Sequence, residues 1–440
     1  MKNKFKKIIV ANTAEAFRDI IEKIQDKKEI ARRLSIEHSL CQRALFWEED
    51  NKMIITPYLM DPIFLKRNSR VLKYRNVKNI SPEKIEVSLC EAIVNNRKTF
   101  DQLVKTIKDN PGISITPYAV TNEFISLISK LKKLNLKFKS LEIPSPKSLW
   151  TVKYLDSKSG FREAVNKIKG DNKINLPQGF ICRDIEEADK ISKWFLRSGK
   201  SCVLKANFGE SGWGLKVLRD RAKIEGEDAY RDDIWTNTII VVEEYINRDT
   251  EVAGGSPSVE ILVNKEGAQI TYICGQTVDS FGSFEGVSLG KNILECKDLA
   301  ELKRLGLILG KEYWKLGYRG YFDLDTVVEK KSRNIYLIET NTRRTGGTHT
   351  YDIAKRLFGS KWEEKSFLIS NDQFPYSRKI KTPEAIFDRL DNILYPKKTS
   401  GSGVIITIID AERHMLGFVI VSKDKSECLK IHTELSNLLS

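Results

Sequence analysis

Residues 322–328 and 334–341 restrict what this chain can fold into more than any other stretch. Both runs are β-like, and the polar turn between them, residues 329–333, predicts an antiparallel pair. With a side-chain period of two, Glu339 and Asn341 share one face and Asp325 sits across from them, so three oxygen ligands converge. Hard oxygen ligands beside phosphate suit Mg²⁺, which keeps few protein contacts and takes the rest from nucleotide and water. Directly afterwards comes Thr342-Arg343-Arg344-Thr345-Gly346-Gly347-Thr348, an arginine and glycine turn fit to hold an anionic or developing oxyanion centre. Edge protection of a sheet explains acids at strand ends but not the whole run.

Two further constellations precede it. Residues 203–217 read as strand, glycine-rich turn and strand: Gly209, Ser211, Gly212 and Gly214 let backbone amides approach an anion, and Lys205 supplies a cation for phosphate oxygens. This is a phosphate-covering hairpin and not a P-loop, because the Gly-x-x-x-x-Gly-Lys-Ser/Thr pattern is missing. Alone, the run is equally an ordinary hairpin with glycines chosen for turn geometry. Residues 238–246 form a buried strand ending in Glu243 and Glu244, then Tyr245 and Ile246. A nucleotide base fits such a strand-to-loop hinge, with a carboxylate accepting from the adenine amino group; a solvated strand end is the plainer alternative.

The chain has 440 residues, room for about three domains at roughly 100 to 200 residues each. Its first strand, around Ile8 to Val10, feeds an amphipathic helix from 15 to about 34, an α/β start without the Gly-x-Gly-x-x-Gly fingerprint of a dinucleotide site. Helices are expected over 81–107 and 122–134, strands over 52–56 and 113–117. The Pro-rich piece Ile143-Pro144-Ser145-Pro146 marks a boundary. After Pro375 come a helix over 383–394, strands over 404–409 and 417–421, and a helix over 424–439. The expected division is therefore 1–146, 147–375 and 376–440, of mixed α/β (α+β) class.

Composition excludes several function classes. Seven scattered cysteines without a CxxC pair argue against a disulfide framework or a zinc knuckle, and His38, His349, His414 and His432 show no ligand spacing. No run approaches the roughly 20 apolar residues of a membrane span, and the start is too short in apolar residues for a signal peptide, so a cytoplasmic protein is expected. Lysine and arginine total 74 against 59 acids, a net +15 with histidine neutral. That excess admits nucleic acid, an acidic substrate or solubility alone. Basic runs such as Lys130-Leu131-Lys132-Lys133 read as solvated helix faces, and no nucleic-acid or membrane partner is expected.

The order of these signals resembles the ATP-grasp superfamily over residues 149–358. Motif by motif, Lys158 looks like the first ATP-phosphate lysine, Lys205 the second, and Glu243 with the backbone of Tyr245 and Ile246 the adenine hinge. Asp325, Glu339 and Asn341 look like its magnesium ligands, and Arg343 like the arginine that steadies the reacting centre. Within the superfamily the chain is most similar to the pheganomycin-type peptide ligases, through Thr116 to Thr121, Ser157 to Arg162, Thr345 to Thr348 and the tail from Gly401. The resemblance implies an N-terminal Rossmann-like pre-ATP-grasp domain, an ATP-grasp core and a small C-terminal α/β domain. It further implies an ATP- and Mg²⁺-dependent ligase that joins a small carboxylate to an amine or peptide through an acyl phosphate, with a homodimer a common outcome. Thr342 departs from the pattern, where many relatives have proline, and Asp323 competes with Asp325, whose spacing to Glu339 better suits a short hairpin. Ser258 and Glu260 are alternatives for the ribose contact. Another ATP-grasp ligase, acting on a protein terminus or a small metabolite, is the second reading, and a non-enzymatic nucleotide or nucleic-acid binder the third.

Overall fold

The computed structural model describes residues 4–210, 212–219, 233–235, 237–278, 284–397 and 401–440. The N-terminal part is a parallel sheet of β1 (Lys7–Val10), β2 (Lys52–Ile55), β3 (Val77–Ile80), β4 (Ile113–Pro117) and β5 (Phe138–Lys139), in the order β3-β2-β1-β4-β5. The apolar run of β1 is buried on both faces: Ile8 and Val10 enter one core, Ile9 and Ala11 the other. The expected helix over 15–34 is interrupted. Buried Phe17 leaves helical geometry between two single turns, and a regular helix starts only at Lys27–Leu40, where Asp26 accepts from the Lys28 N–H. The expected helix over 81–107 likewise divides into Leu89–Asn95 and Arg97–Asp109, because Asn96 caps the second by accepting from the Thr99 N–H.

A four-stranded sheet follows, β6 (Gly179–Cys182), β7 (Cys202–Glu210), β8 (Trp213–Leu218) and β9 (Ile240–Glu244), in the order β6-β9-β7-β8. The third sheet has eight strands: β10 (Pro257–Val263), β11 (Ala268–Val278), β12 (Phe284–Gly290), β13 (Gly320–Val328), β14 (Ile335–Asn341), β15 (Phe367–Pro375), β16 (Gly403–Asp410) and β17 (Met415–Ser422). Its order is β14-β13-β10-β11-β12-β15-β17-β16, with every neighbouring pair antiparallel.

One core cluster lies wholly within 1–146, while another takes residues from both sides of 146 and of 375. β17 pairs with β15, so the tail's strands extend the central sheet and do not make a sheet of their own. One hydrophobic cluster joins Ile9, Phe46 and Trp47 to Phe367, Leu416 and Leu435. A sheet ladder satisfies backbone groups wherever an edge is open, and β15 presents that edge. Among the described residues no helix is long and apolar enough to cross a membrane.

Candidate active site

β13 and β14 form the expected antiparallel pair, and a register shift between Asp325 and Thr326 sets Asp325 opposite Glu339 and Asp323 opposite Asn341. All four side chains therefore share one face, and all four line a cleft of about 180 Å³ together with Gly212, Arg343 and the glycine turn Thr345 to Gly347. Asp325 accepts from Gln276 Nε2 and, at 2.9 Å, from Asn341 Nδ2. Burial pushes its carboxyl up to about 6, and the Glu339 charge opposite adds to the shift. Asp323 lies deeper. It accepts from Ser258 Oγ, and burial followed by the Asp325 charge raises it well above the carboxylate range. Glu339 behaves oppositely: burial opposes its ionisation, but Lys158, Lys205 and Arg343 outweigh burial and hold it below the ordinary value.

Two lysines reach this acid face from different elements. Lys158 opens the helix Lys158–Asn172, capped by Ser157, and its Nζ lies 2.7 Å from Glu339 Oε2. Lys205, on β7, lies 2.7 Å from Glu243 Oε2 and donates at 3.3 Å to the Ile338 carbonyl. Glu243 is buried with both oxygens engaged, since Arg162 Nη1 holds Oε1 at 2.7 Å. Glu244 is half-buried and pairs outward with Lys200 at 3.1 Å. The Tyr245 N–H completes a backbone bond to Ser201 O (2.9 Å), and Ile246 follows where the strand has ended. Gly212 and Gly214 have φ of 83° and 77°, the left-handed region the hairpin turn needs, and a Cβ at Gly209 would lie 2.5 Å from Trp213 O. Ser211 lies outside the described residues.

Arg343 sits at the end of β14. Its Nη1 lies 2.9 Å from Asp156 Oδ1, Nη2 donates to Asn341 Oδ1 at 3.0 Å, and the guanidinium stacks 4.9 Å from the Phe17 ring centroid. Ser258 and Glu260 are fully buried. Glu260 accepts from Thr348 Oγ1 (2.6 Å), Thr271 Oγ1 (3.1 Å) and Tyr272 O–H (3.3 Å), which ties it into the protein interior.

Sequence reasoning missed Asp156, Arg162, Gln276 and the pair Arg43–Asp372, which also lines the cleft. Arg162 had a faint signal, being four residues after Lys158 and so on the same buried helix face. Arg43 had none, because its partner is 329 positions away.

Among the described residues no group of three or more His, Cys, Asp or Glu side chains is placed to hold a metal ion unaided. Two carboxylates, Asp325 and Glu339, with the Asn341 amide oxygen nevertheless fit Mg²⁺, whose remaining ligands come from phosphate and water.

No protein-family model matches the chain. It is 22% identical over 244 residues to the [butirosin acyl-carrier protein]–L-glutamate ligase of Niallia circulans, covering 55% of this chain and 54% of that protein. The chain thus spans about half the length of the curated relative it matches. Among solved structures, it is similar to the L-amino acid ligase of Bacillus licheniformis, with a TM-score of 0.53 and 14% identity over 99% of this chain and 98% of that one. Biotin carboxylase of Campylobacter jejuni, solved as a β,γ-ATP complex, gives a TM-score of 0.57 and 14% identity, covering 99% and 92%. The N5-carboxyaminoimidazole synthase of Aspergillus clavatus, with ADP and its ribonucleotide, gives 0.54 at 12% identity over both full lengths. The fold of this chain is the ATP-grasp fold.

Proposed function

We propose that this ATP-grasp chain is an ATP- and Mg²⁺-dependent carboxylate–amine ligase, which forms an amide or peptide bond through an acyl phosphate and releases ADP and phosphate. The observation that carries the reading is the meeting of Lys158, Lys205 and Arg343 with Asp325, Glu339 and Asn341 at one mouth between two sheets. Phosphoryl transfer asks a protein for position and charge, not for a covalent nucleophile, and this inventory contains those and no exposed histidine or thiol among the cleft residues.

In this reading Lys158 and Lys205 bind the phosphates, the Gly209 to Gly214 turn covers them, and the hinge from Glu243 to Ile246 receives the adenine. Glu243 acts there by holding Lys205 in place, its oxygens being taken by Lys205 and Arg162. Asp325, Glu339 and Asn341 would hold Mg²⁺, which when bound neutralises phosphate charge. Arg343, clamped by Asp156 and Asn341, steadies the oxyanion that develops as the amine attacks.

The carboxylate and amine are small molecules in the lead reading. The relative named for joining L-glutamate to an acyl-carrier protein supports a second one, in which one partner is carried on a protein. The test is incubation with ATP, Mg²⁺ and mixtures of amino acids and short peptides. ADP, phosphate and a dehydrated product are expected, and AMP release would sink the proposal. Glu339→Gln should abolish turnover with the fold intact; full activity would remove the metal assignment.

A further inference from the structure

The N-terminal sheet reverses strand order between β1 and β4, and open α/β sheets receive ligands in the crevice beyond that point. Here the crevice is filled by the chain itself. Asn12 donates to Glu15 (2.9 Å) and to the Ala119 carbonyl (3.0 Å), while Glu15 accepts from Ser88 (2.9 Å) and Thr121 (2.7 Å). What reaches the active cleft from this end of the sheet is Tyr118, after β4, and Arg43, in the turn Cys41–Leu45 that packs against Ala11 and Thr13.

Arg43 is a buried cation in the wall of a cleft whose other charges are mostly acids. Its Nε donates to Leu40 O (3.1 Å) and its Nη1 to Asp372 Oδ2 (2.7 Å), two bonds from a group with five N–H donors. Asp372 is buried too, and its Oδ1 has no hydrogen-bond partner and faces His349 Nε2 at 3.7 Å. Burial and the Arg43 charge keep His349 neutral, so it does not compete as a cation. A buried guanidinium on the cleft wall, backed by Asp372 and with the Glu37 charge also acting on it, is suited to a planar anion from the cleft side.

We infer that Arg43 binds a substrate carboxylate that takes no part in the reaction, with Asp372 as its positioning residue; the inference rests on the ligase reading above. Such a group is either a second carboxylate on the activated acid or the free carboxylate of an amino acid serving as amine.

ADP release is measured with two matched pairs, L-glutamate against L-glutamine for the first source and L-alanine against L-alaninamide for the second. In one pair wild type should favour the acid, and Arg43→Met should cut kcat/KM for that acid by about 10- to 100-fold, the loss of a charged hydrogen bond, with the amide nearly unchanged. Asp372→Asn should raise KM for the acid more than it lowers kcat. No preference in wild type, or equal loss on acid and amide, overturns the inference. If Arg43→Met does not fold, as its melting curve will tell, Arg43→Lys carries the test and should lose part of the same preference. If wild type releases no ADP with any pair, the ligase reading has failed, and calorimetric titration decides the inference alone. It stands if wild type binds the acid more tightly than the amide and the Arg43 variant does not, and falls otherwise.

Discussion

Glu243→Gln is the perturbation whose cost the structure sets most directly. Arg162, Lys205 and Glu243 form a buried triad, two cations on one carboxylate at 2.7 Å each, of net charge +1. The space around it is closed: a Cβ on Gly179 would stand 2.8 Å from Glu243 Cγ and 3.0 Å from Arg162 Cζ. Glutamine keeps one acceptor oxygen and turns an N–H₂ toward the other cation, so the triad becomes +2 with a donor facing a donor. Removing one partner of a buried charge pair costs about 3–5 kcal/mol. At about 2–4 °C per kcal/mol for a unit of 150–250 residues, the melting midpoint should fall by roughly 6–20 °C. The double variant Arg162→Met/Glu243→Gln returns the site to +1 and leaves Lys205 an amide oxygen, so it should recover most of that loss and bind ATP near wild-type affinity. The assays are thermal melting and ATP titration of the three proteins. A single variant that melts and binds as wild type does, or a double variant whose losses simply add, would refute the reasoning.

Asp156→Asn should lower kcat by about 10- to 100-fold while leaving KM for ATP near wild type, because it loosens Arg343 and not Lys158 and Lys205, the lysines proposed to bind phosphate; steady-state kinetics checks this, and unchanged kcat counts against the assignment of Arg343. Glu260 gives a pH signature: burial pushes its carboxyl from 4.5 up to about 7, so between those values the folded protein keeps a proton that the unfolded chain releases, and stability is lost as pH rises through 7. Glu260→Gln, which can still accept from Thr348, should remove about 3 kcal/mol of that loss and melt above wild type at pH 8; identical melting-versus-pH curves would show that Glu260 does not titrate this way.

The acid face was legible in part: a period of two puts Glu339 with Asn341 and Asp323 with Asp325, but the register shift between Asp325 and Thr326, which sets Asp325 opposite Glu339 and not Ile338, follows from no local rule. Helix extents were less legible, since Asn96 offers the backbone a cap that competes with continuing the helix. Sheet order was not legible at all: nothing local says that β17 joins β15. The same holds for the partners of the chemistry. Arg162 meets Glu243 across 81 positions and Arg43 meets Asp372 across 329, and no spacing rule reaches that far.

Thr342 shows how a departure from a motif reads differently once its contacts are known. The ATP-grasp motif that this stretch resembles often has proline there, which has no N–H. Here the Thr342 N–H donates to Asp156 Oδ1 at 2.7 Å, and its hydroxyl donates to the Val152 carbonyl at 2.9 Å. The same Asp156 oxygen receives Arg343 Nη1 at 2.9 Å. A proline would delete one of the donors that fix this carboxylate, and the guanidinium would then be held to a less constrained partner. The threonine thus ties the end of β14 to the helix Trp150–Asp156 and sets the arginine's position from behind. If Arg343 steadies an oxyanion, as proposed above, rigid support of this kind serves it, because a donor that must reorganise during reaction loses much of its effect. The substitution that weakens the match to the motif is therefore, in this chain, part of how the motif's arginine is held.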